Sequence, residues 1–257
     1  MSNKSPLINV IHNSLSKVSR RILRDFGEIE NLQLSHEKID RFVYKSFLFI
    51  KENLKSSFLQ SRPDWEIIFE NEKNTNNIFD QNKYYWLIDP INGIENFKRG
   101  IPIFAICISV IKNGEIIAST IFDPIRDEFY FAEKGKGAYL NGRRIRVSNR
   151  IDLKDSLISL EIKSEDKILN MFFNLKGIEK TNLRFFLCSA LSFSWVSCGK
   201  IDCFFSNNIN QCVLECGKLI LRESGGYFSS NVTSDKTRII AANPKIHKNL
   251  TKIINSY

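Results

Sequence analysis

The segment Tyr84-Tyr85-Trp86-Leu87-Ile88-Asp89-Pro90-Ile91-Asn92-Gly93 constrains the fold more than any other part of the chain. An unbroken run of aromatic and branched apolar residues is what a strand covered on both faces needs, because alternation with polar residues would leave one face to solvent. Asp89 ends the run, Pro90 removes a ladder donor, and Asn92-Gly93 supplies residue types that a tight turn accepts. Ile94-Glu95-Asn96-Phe97 then opens a helix that starts at about Gly93. A carboxylate at a strand end beside the amides of a new helix suits a divalent cation and a phosphate.

Two helical patterns precede this turn. Apolar residues at Leu7, Ile8, Val10, Ile11, Leu15, Val18, Ile22, Leu23 and Phe26 mark one over 7–27, and Ile39, Phe42, Val43, Phe47, Ile50, Leu54 and Phe58 mark another over 36–58. Residues 65–69 read as a short strand and the Asn-rich stretch 70–83 as a surface loop. After the turn, strands are expected at 103–111, 116–122, 129–132 and 138–140, with Asn113-Gly114 and Asn141-Gly142 as hairpin turns. Beyond about 150 the pattern changes: strands at 157–160, 183–187, 201–205 and 238–241, helices at 189–198, 211–224 and 244–255. We divide the chain into an N-terminal α+β half, 1–149, and a C-terminal α/β half, 150–257. Phe185-Phe186 and Phe204-Phe205 are expected in the core.

Among 257 residues, 43% hydrophobic and 25% charged is the balance of a globular protein with a sizeable core. The most apolar run, 101–111, is too short to span a membrane, so no membrane partner is expected. Met1-Ser2-Asn3-Lys4-Ser5-Pro6 lacks a signal-peptide pattern, and a cytoplasmic location is expected. The six cysteines form no C-x-x-C pair and have apolar neighbours, which predicts buried reduced thiols. His12, His36 and His247 are scattered, with no zinc spacing, and read as surface residues. The net charge of +9 is dispersed, with small clusters at 17–24, 143–150 and 245–252. It favours non-specific attraction to polyanions without specifying one.

The stretch from Trp86 to Phe97 resembles the sugar-phosphatase signature of the inositol monophosphatase family, Asp-Pro-Ile-Asp-Gly-Thr-x-Asn-Phe. Four more stretches match in family order: Asp123-Pro124-Ile125-Arg126-Asp127-Glu128, Gly135-Lys136-Gly137-Ala138-Tyr139-Leu140-Asn141-Gly142, Trp195-Val196-Ser197-Cys198-Gly199-Lys200-Ile201-Asp202, and the helix from Glu215 to Gly226. The resemblance implies an α/β fold, the layered α/β/α/β/α sandwich of the inositol monophosphatase/fructose-1,6-bisphosphatase type. It also implies a homodimer and a small sugar phosphate as ligand. Two or three Mg²⁺ ions would activate a water and stabilise the leaving oxygen. The bacterial extragenic suppressor group within this family acts in transcription, so RNA or transcription machinery is an alternative partner.

Carried over by position, the resemblance implies Glu70 as the first metal-binding carboxylate, with Glu72 in the alternative register, and Asp89 with the Ile91 carbonyl as the next ligands. Asn92 stands where the family has its second signature Asp, and Ile94 where it has the Thr that orients the attacking water. Counted without a gap from Asp202, the last metal-binding Asp falls on Val213, its preceding Trp on Cys212, and the substrate-hydroxyl Glu on Ser206. An amide carries no charge and valine offers no donor. The expectation is an impaired or inactive phosphomonoesterase homologue, with its status as an enzyme left open. Glu70, Asp89 and Ile91 would hold one Mg²⁺ weakly or at partial occupancy, and the backbone of Gly93, Ile94 and Glu95 would receive phosphate. Two alternatives stand beside it. One is an active phosphatase with its metal set moved onto Glu72 or Glu95. In the other the residues only preserve the turn, with Asp89 as a helix cap and Asn96 as a local hydrogen-bonding residue.

Overall fold

A computed structural model describes residues 4–31, 36–70, 80, 82–162, 167–174, 180–233 and 236–254. Helices α1 (Pro6–Asn31) and α2 (His36–Ser61) come first, then strands β1 (Glu66–Phe69) and β2 (Tyr84–Asn92) and the short helix α3 (Ile94–Lys98). Strands β3 (Ala105–Lys112), β4 (Glu115–Asp123), β5 (Glu128–Glu133), β6 (Gly137–Leu140) and β7 (Arg143–Arg144) complete a seven-stranded sheet in sequential order. Strand β8 (Ile158–Glu161), α4 (Lys167–Asn174), β9 (Leu183–Arg184), α5 (Ser189–Ser197), β10 (Cys203–Ser206), α6 (Gln211–Glu223), β11 (Tyr227–Thr233), β12 (Lys236–Ala242) and α7 (Pro244–Ile254) follow. Their strands form a second sheet ordered β11-β12-β10-β8-β9.

Three apolar clusters stack these elements into five layers. One joins α1 and α2 to the first sheet, through Ile11, Val18, Val43 and Phe58 against Trp86, Ile88 and Ile108. The second fills the space between the two sheets with α5 and α6, whose Phe193, Val196, Val213 and Ile220 meet Leu87 and Cys107 on one side and Phe204 and Ala241 on the other. The third covers the outer face of the second sheet with α4 and α7, through Phe172, Ile246 and Leu250. Strand alternation sorts the side chains: Tyr85 and Leu87 enter the middle cluster, Trp86 and Ile88 the outer one. This is the layered α/β/α/β/α architecture anticipated above.

Two glycines set the spacing near the centre. A Cβ on Gly217 of α6 would lie 2.3 Å from the Phe193 ring of α5, so only glycine admits that ring between the helices. Gly93 has φ +88°, and a Cβ there would lie 2.7 Å from the Ile103 carbonyl oxygen. At the hairpin Asn113-Gly114 both residues have positive φ, as the tightest hairpin turns demand.

Several expectations are corrected. The strand foreseen at 183–187 stops at Arg184. Phe185 and Leu187 are about half exposed and Leu187 has φ +54°. The carbonyl of Phe186 accepts from the Asn96 side chain rather than from a neighbouring strand. Phe204 and Phe205 are fully buried, as expected. Helix α4 and strand β11 were not foreseen; β11 is polar through Ser229, Ser230 and Asn231 and owes its place to antiparallel pairing with β12. His12 and His247 are partly exposed, His12 packed against Phe129 and His247 hydrogen-bonded to Ser229, and the side chain of His36 lies outside the described residues. Five cysteines are buried, Cys198 is partly so, and all are free thiols. Most of the loop foreseen at 70–83 lies outside the described residues.

Candidate active site

Asp89 and Asn92 are three residues apart on β2, and in a regular strand they would point to opposite faces. The register with β3 shifts between them: Asp89 pairs with Cys107 and Asn92 with Ala105, so β2 carries one extra residue. This β-bulge holds Pro90, where a missing N–H costs no ladder bond. Its effect is to turn both side chains toward α5 and α6.

There the carboxylate of buried Asp89 meets three N–H donors. Its Oδ1 accepts from the Ile91 amide at 3.2 Å. Its Oδ2 accepts from Asn92 Nδ2 at 3.2 Å and from Asn210 Nδ2 at 3.0 Å. The orientation of an Asn amide follows from its hydrogen-bond network, and here both networks point the same way. Asn92 Oδ1 accepts from the Ala190 amide at 3.0 Å, at the start of α5. Asn210 is the N-cap of α6, and its Oδ1 accepts from the Val213 amide at 2.8 Å. Backbone N–H groups cannot accept, so each carboxamide must turn its NH₂ to Asp89.

Glu70 sits beside them. Its carboxylate is hydrogen-bonded to the Cys212 backbone, also in the first turn of α6, while its Oε2 is buried without a partner. Burial and the charge of Asp89 push the Glu70 carboxyl above its ordinary value. Burial likewise pushes Asp89 up, opposed by Asn210, Asn92 and the Ile91 amide. Glu161, at the end of β8, accepts from Ser189 Oγ at 2.5 Å, and burial raises its carboxyl too.

A raised folded-state value means that the folded protein holds this proton more tightly than the unfolded chain, so stability falls as pH rises from the ordinary value of 4.5 through the raised one. Glu161→Gln should therefore melt like the wild type in acid and at a higher temperature near neutrality. Thermal melts across that window check this, and an offset independent of pH would refute it.

The structure separates the other expected residues. Val213 is fully buried in the middle cluster; it contributes its amide to a cap and its side chain to the core. Ser206 is buried and accepts from the Asn208 amide. Asp89 caps no helix, since α3 has Gly93 at its N-cap with no side-chain cap bond. Asn96 is not a local hydrogen-bonding residue alone: it bridges the Ile103 and Phe186 carbonyls. Glu95 is exposed and pairs with Lys98 at 3.0 Å, while Glu72 lies outside the described residues. The Ile94 side chain lines a cavity of about 570 Å³ with Val43, Tyr44, Phe47, Lys51 and Glu70. Asn210 and the Ala190 amide escaped sequence reading. The first had a usable signal, an Asn directly before an apolar helical pattern; the second had none.

The resemblance implies magnesium, which takes hard, mostly anionic oxygen ligands. The bare Glu70 Oε2 fits a cation, but both carboxamide NH₂ groups already donate to Asp89 Oδ2. Among the described residues no three His, Cys, Asp or Glu side chains converge to hold a metal. These residues do not fit a pair of Mg²⁺ ions.

Comparison with known proteins places the whole chain. The family model described as "Inositol monophosphatase family" matches residues 3–257. An inositol-1-monophosphatase from Mesorhizobium japonicum is 29% identical, covering 98% of this chain and 97% of its own. A protein named Nus factor SuhB from Xylella fastidiosa is 28% identical, covering 98% and 96%. The crystal structure of extragenic suppressor protein suhB from Bartonella henselae superposes with a TM-score of 0.83 at 29% identity, covering 98% of this chain and 100% of that one. With its layers, signature turn and full-length match in agreement, the chain belongs to the inositol monophosphatase family.

Proposed function

We propose that this protein has lost phosphomonoester hydrolysis while keeping the family's cleft. The observation that carries the reading is the state of Asp89. Two carboxamides donate to it, whereas Mg²⁺, which would supply an activated water, would need converging anionic oxygens to hold it. Ile94 adds a second deficit, because it has no hydroxyl with which to position a water. Loss of a positioned proton acceptor alone lowers a rate by roughly 10²–10⁴.

The cleft that remains suits a small sugar phosphate. The amides of Ile94 and Glu95 start α3 and have no intrahelical carbonyl to meet, and the adjoining cavity offers Lys51 and aromatic walls. Weak Mg²⁺ at Glu70, Asp89 and the Ile91 carbonyl would require displacing the two carboxamides. Homodimer formation belongs to the same reading. It is supported by the neighbouring exposed residues Phe185 and Leu187. Phosphate release from inositol 1-phosphate with Mg²⁺ tests the proposal. Turnover at the rate of the Mesorhizobium japonicum relative would instead support an active enzyme with a rearranged metal set.

A second reading, an accessory role in transcription, is favoured by the relatives named Nus factor SuhB. It is compatible with exposed Arg143 and Arg144 on β7. Under this reading RNA binding should weaken steeply with salt, and Arg143→Ala/Arg144→Ala should flatten that slope. A gel shift checks it, and no shift at low salt would count against it.

A further inference from the structure

We infer that the Asn92 and Asn210 carboxamides do the work of cations in this cleft, forming a metal-free clasp that pins the starts of α5 and α6 to β2. The inference rests on the proposed loss of hydrolysis and extends it from what the site lacks to what replaces it.

Each part of the clasp has two jobs. Asn92 donates to Asp89 and accepts from the Ala190 amide, so it ties β2 to α5. Asn210 donates to the same Asp89 oxygen and accepts from the Val213 amide, tying β2 to α6 across 121 residues of sequence. Glu70, hydrogen-bonded to the Cys212 backbone, adds a second link from the neighbouring strand end to the same helix start. Asp89 is buried, and a buried carboxylate needs compensation. Three N–H groups supply it, two of them from residues that are themselves held by backbone amides. Carboxylates at 92 and 210 would instead repel Asp89 and call for a cation between them. The neutral amides remove both the repulsion and the need, so the starts of α5 and α6 stay docked on β2 without metal.

Asn210→Asp separates this role from simple capping. Asp caps a helix as well as Asn does, so a residue that only capped α6 would tolerate the change. A residue that neutralises Asp89 would not, because the new carboxylate faces the old one. The experiment is thermal unfolding of wild type, Asn210→Asp and Asn210→Ser, each in excess chelator and in excess Mg²⁺. The wild type should melt at the same temperature in both. Asn210→Asp should melt roughly 4–10 °C lower in chelator and recover most of the loss in Mg²⁺. Asn210→Ser, which keeps a cap but loses the NH₂ group, should melt lower in both media, with no recovery.

Stabilisation of the wild type by Mg²⁺, or an Asn210→Asp protein as stable as wild type in chelator, would overturn the clasp. Phosphate release assayed on the same samples keeps the two ideas apart. An inert wild type that Mg²⁺ stabilises defeats the clasp alone, and a wild type that hydrolyses substrate defeats the functional reading beneath it.

Discussion

The variant Asn92→Asp/Ile94→Thr/Val213→Asp should bind Mg²⁺ with measurable heat and release phosphate from inositol 1-phosphate, and the wild type should do neither. Two of the changes add carboxylates, at position 92 on β2 and at position 213 in the first turn of α6, and the third returns a hydroxyl at the position where the resemblance implies one. Asn92→Asp also removes one of the two NH₂ groups now on Asp89 Oδ2. Catalytic groups that act as a unit are strongly non-additive, so Ile94→Thr alone should leave the protein inert because it adds no anionic oxygen beside Asp89 to hold a cation. The full set should exceed the wild type by at least ~10²-fold, the lower bound for restoring a positioned proton acceptor. Val213 is fully buried, so a new carboxylate there must reach a cation or be stranded. Stability without Mg²⁺ should fall accordingly and return with it. Calorimetry that detects the same Mg²⁺ binding in wild type and variant would remove the basis of the prediction.

Trp86→Ala should destabilise the fold by about 3–5 kcal/mol, the range for emptying a large aromatic site in a core. Trp86 is fully buried on β2, stacked on Phe58 of α2 at 4.1 Å and tilted against Trp65 at 5.1 Å. Removing the ring takes away an aromatic stack between the outer helix layer and the strand that carries Asp89 three residues later. Because ~1 kcal/mol shifts the melting point of a chain this size by about 2–4 °C, calorimetry should show a fall of roughly 6–20 °C. Trp86→Phe should cost much less. It keeps a ring against Phe58 and removes an indole N–H that is buried without a partner. Equal melting of the alanine variant and the wild type would mean that this stack carries no weight.

The parts of the fold legible in the sequence were those encoded by local pattern. The helical spacing from Leu7 to Phe26 gave α1, and the apolar run from Tyr84 to Ile88 gave the central strand. The Asn-Gly pairs at 113–114 and 141–142 gave hairpin turns because they take up positive φ at little cost. Failures came where a long-range partner overrode local preference. Phe185 looks like a core residue by composition, yet its segment is drawn out of the sheet when the Phe186 carbonyl bonds Asn96, 90 residues earlier. Strand β11 is interrupted by Ser229, Ser230 and Asn231, which blur its apolar pattern, and its antiparallel pairing with β12 holds it in the sheet.

The same division runs through the site. Residue identities alone established that Asn92 is neutral, that Ile94 has no hydroxyl and that Val213 has no donor, so the departure from the ligands the family motif implies was visible without coordinates. What took their place was not. A one-residue bulge decides that Asp89 and Asn92 face the same way, and only the docking of α5 and α6 brings the Ala190 amide and Asn210 to them. Composition and spacing report what a side chain can offer. Which group receives that offer is set by contacts between residues far apart in the chain, and these exist only once the layers have closed on one another.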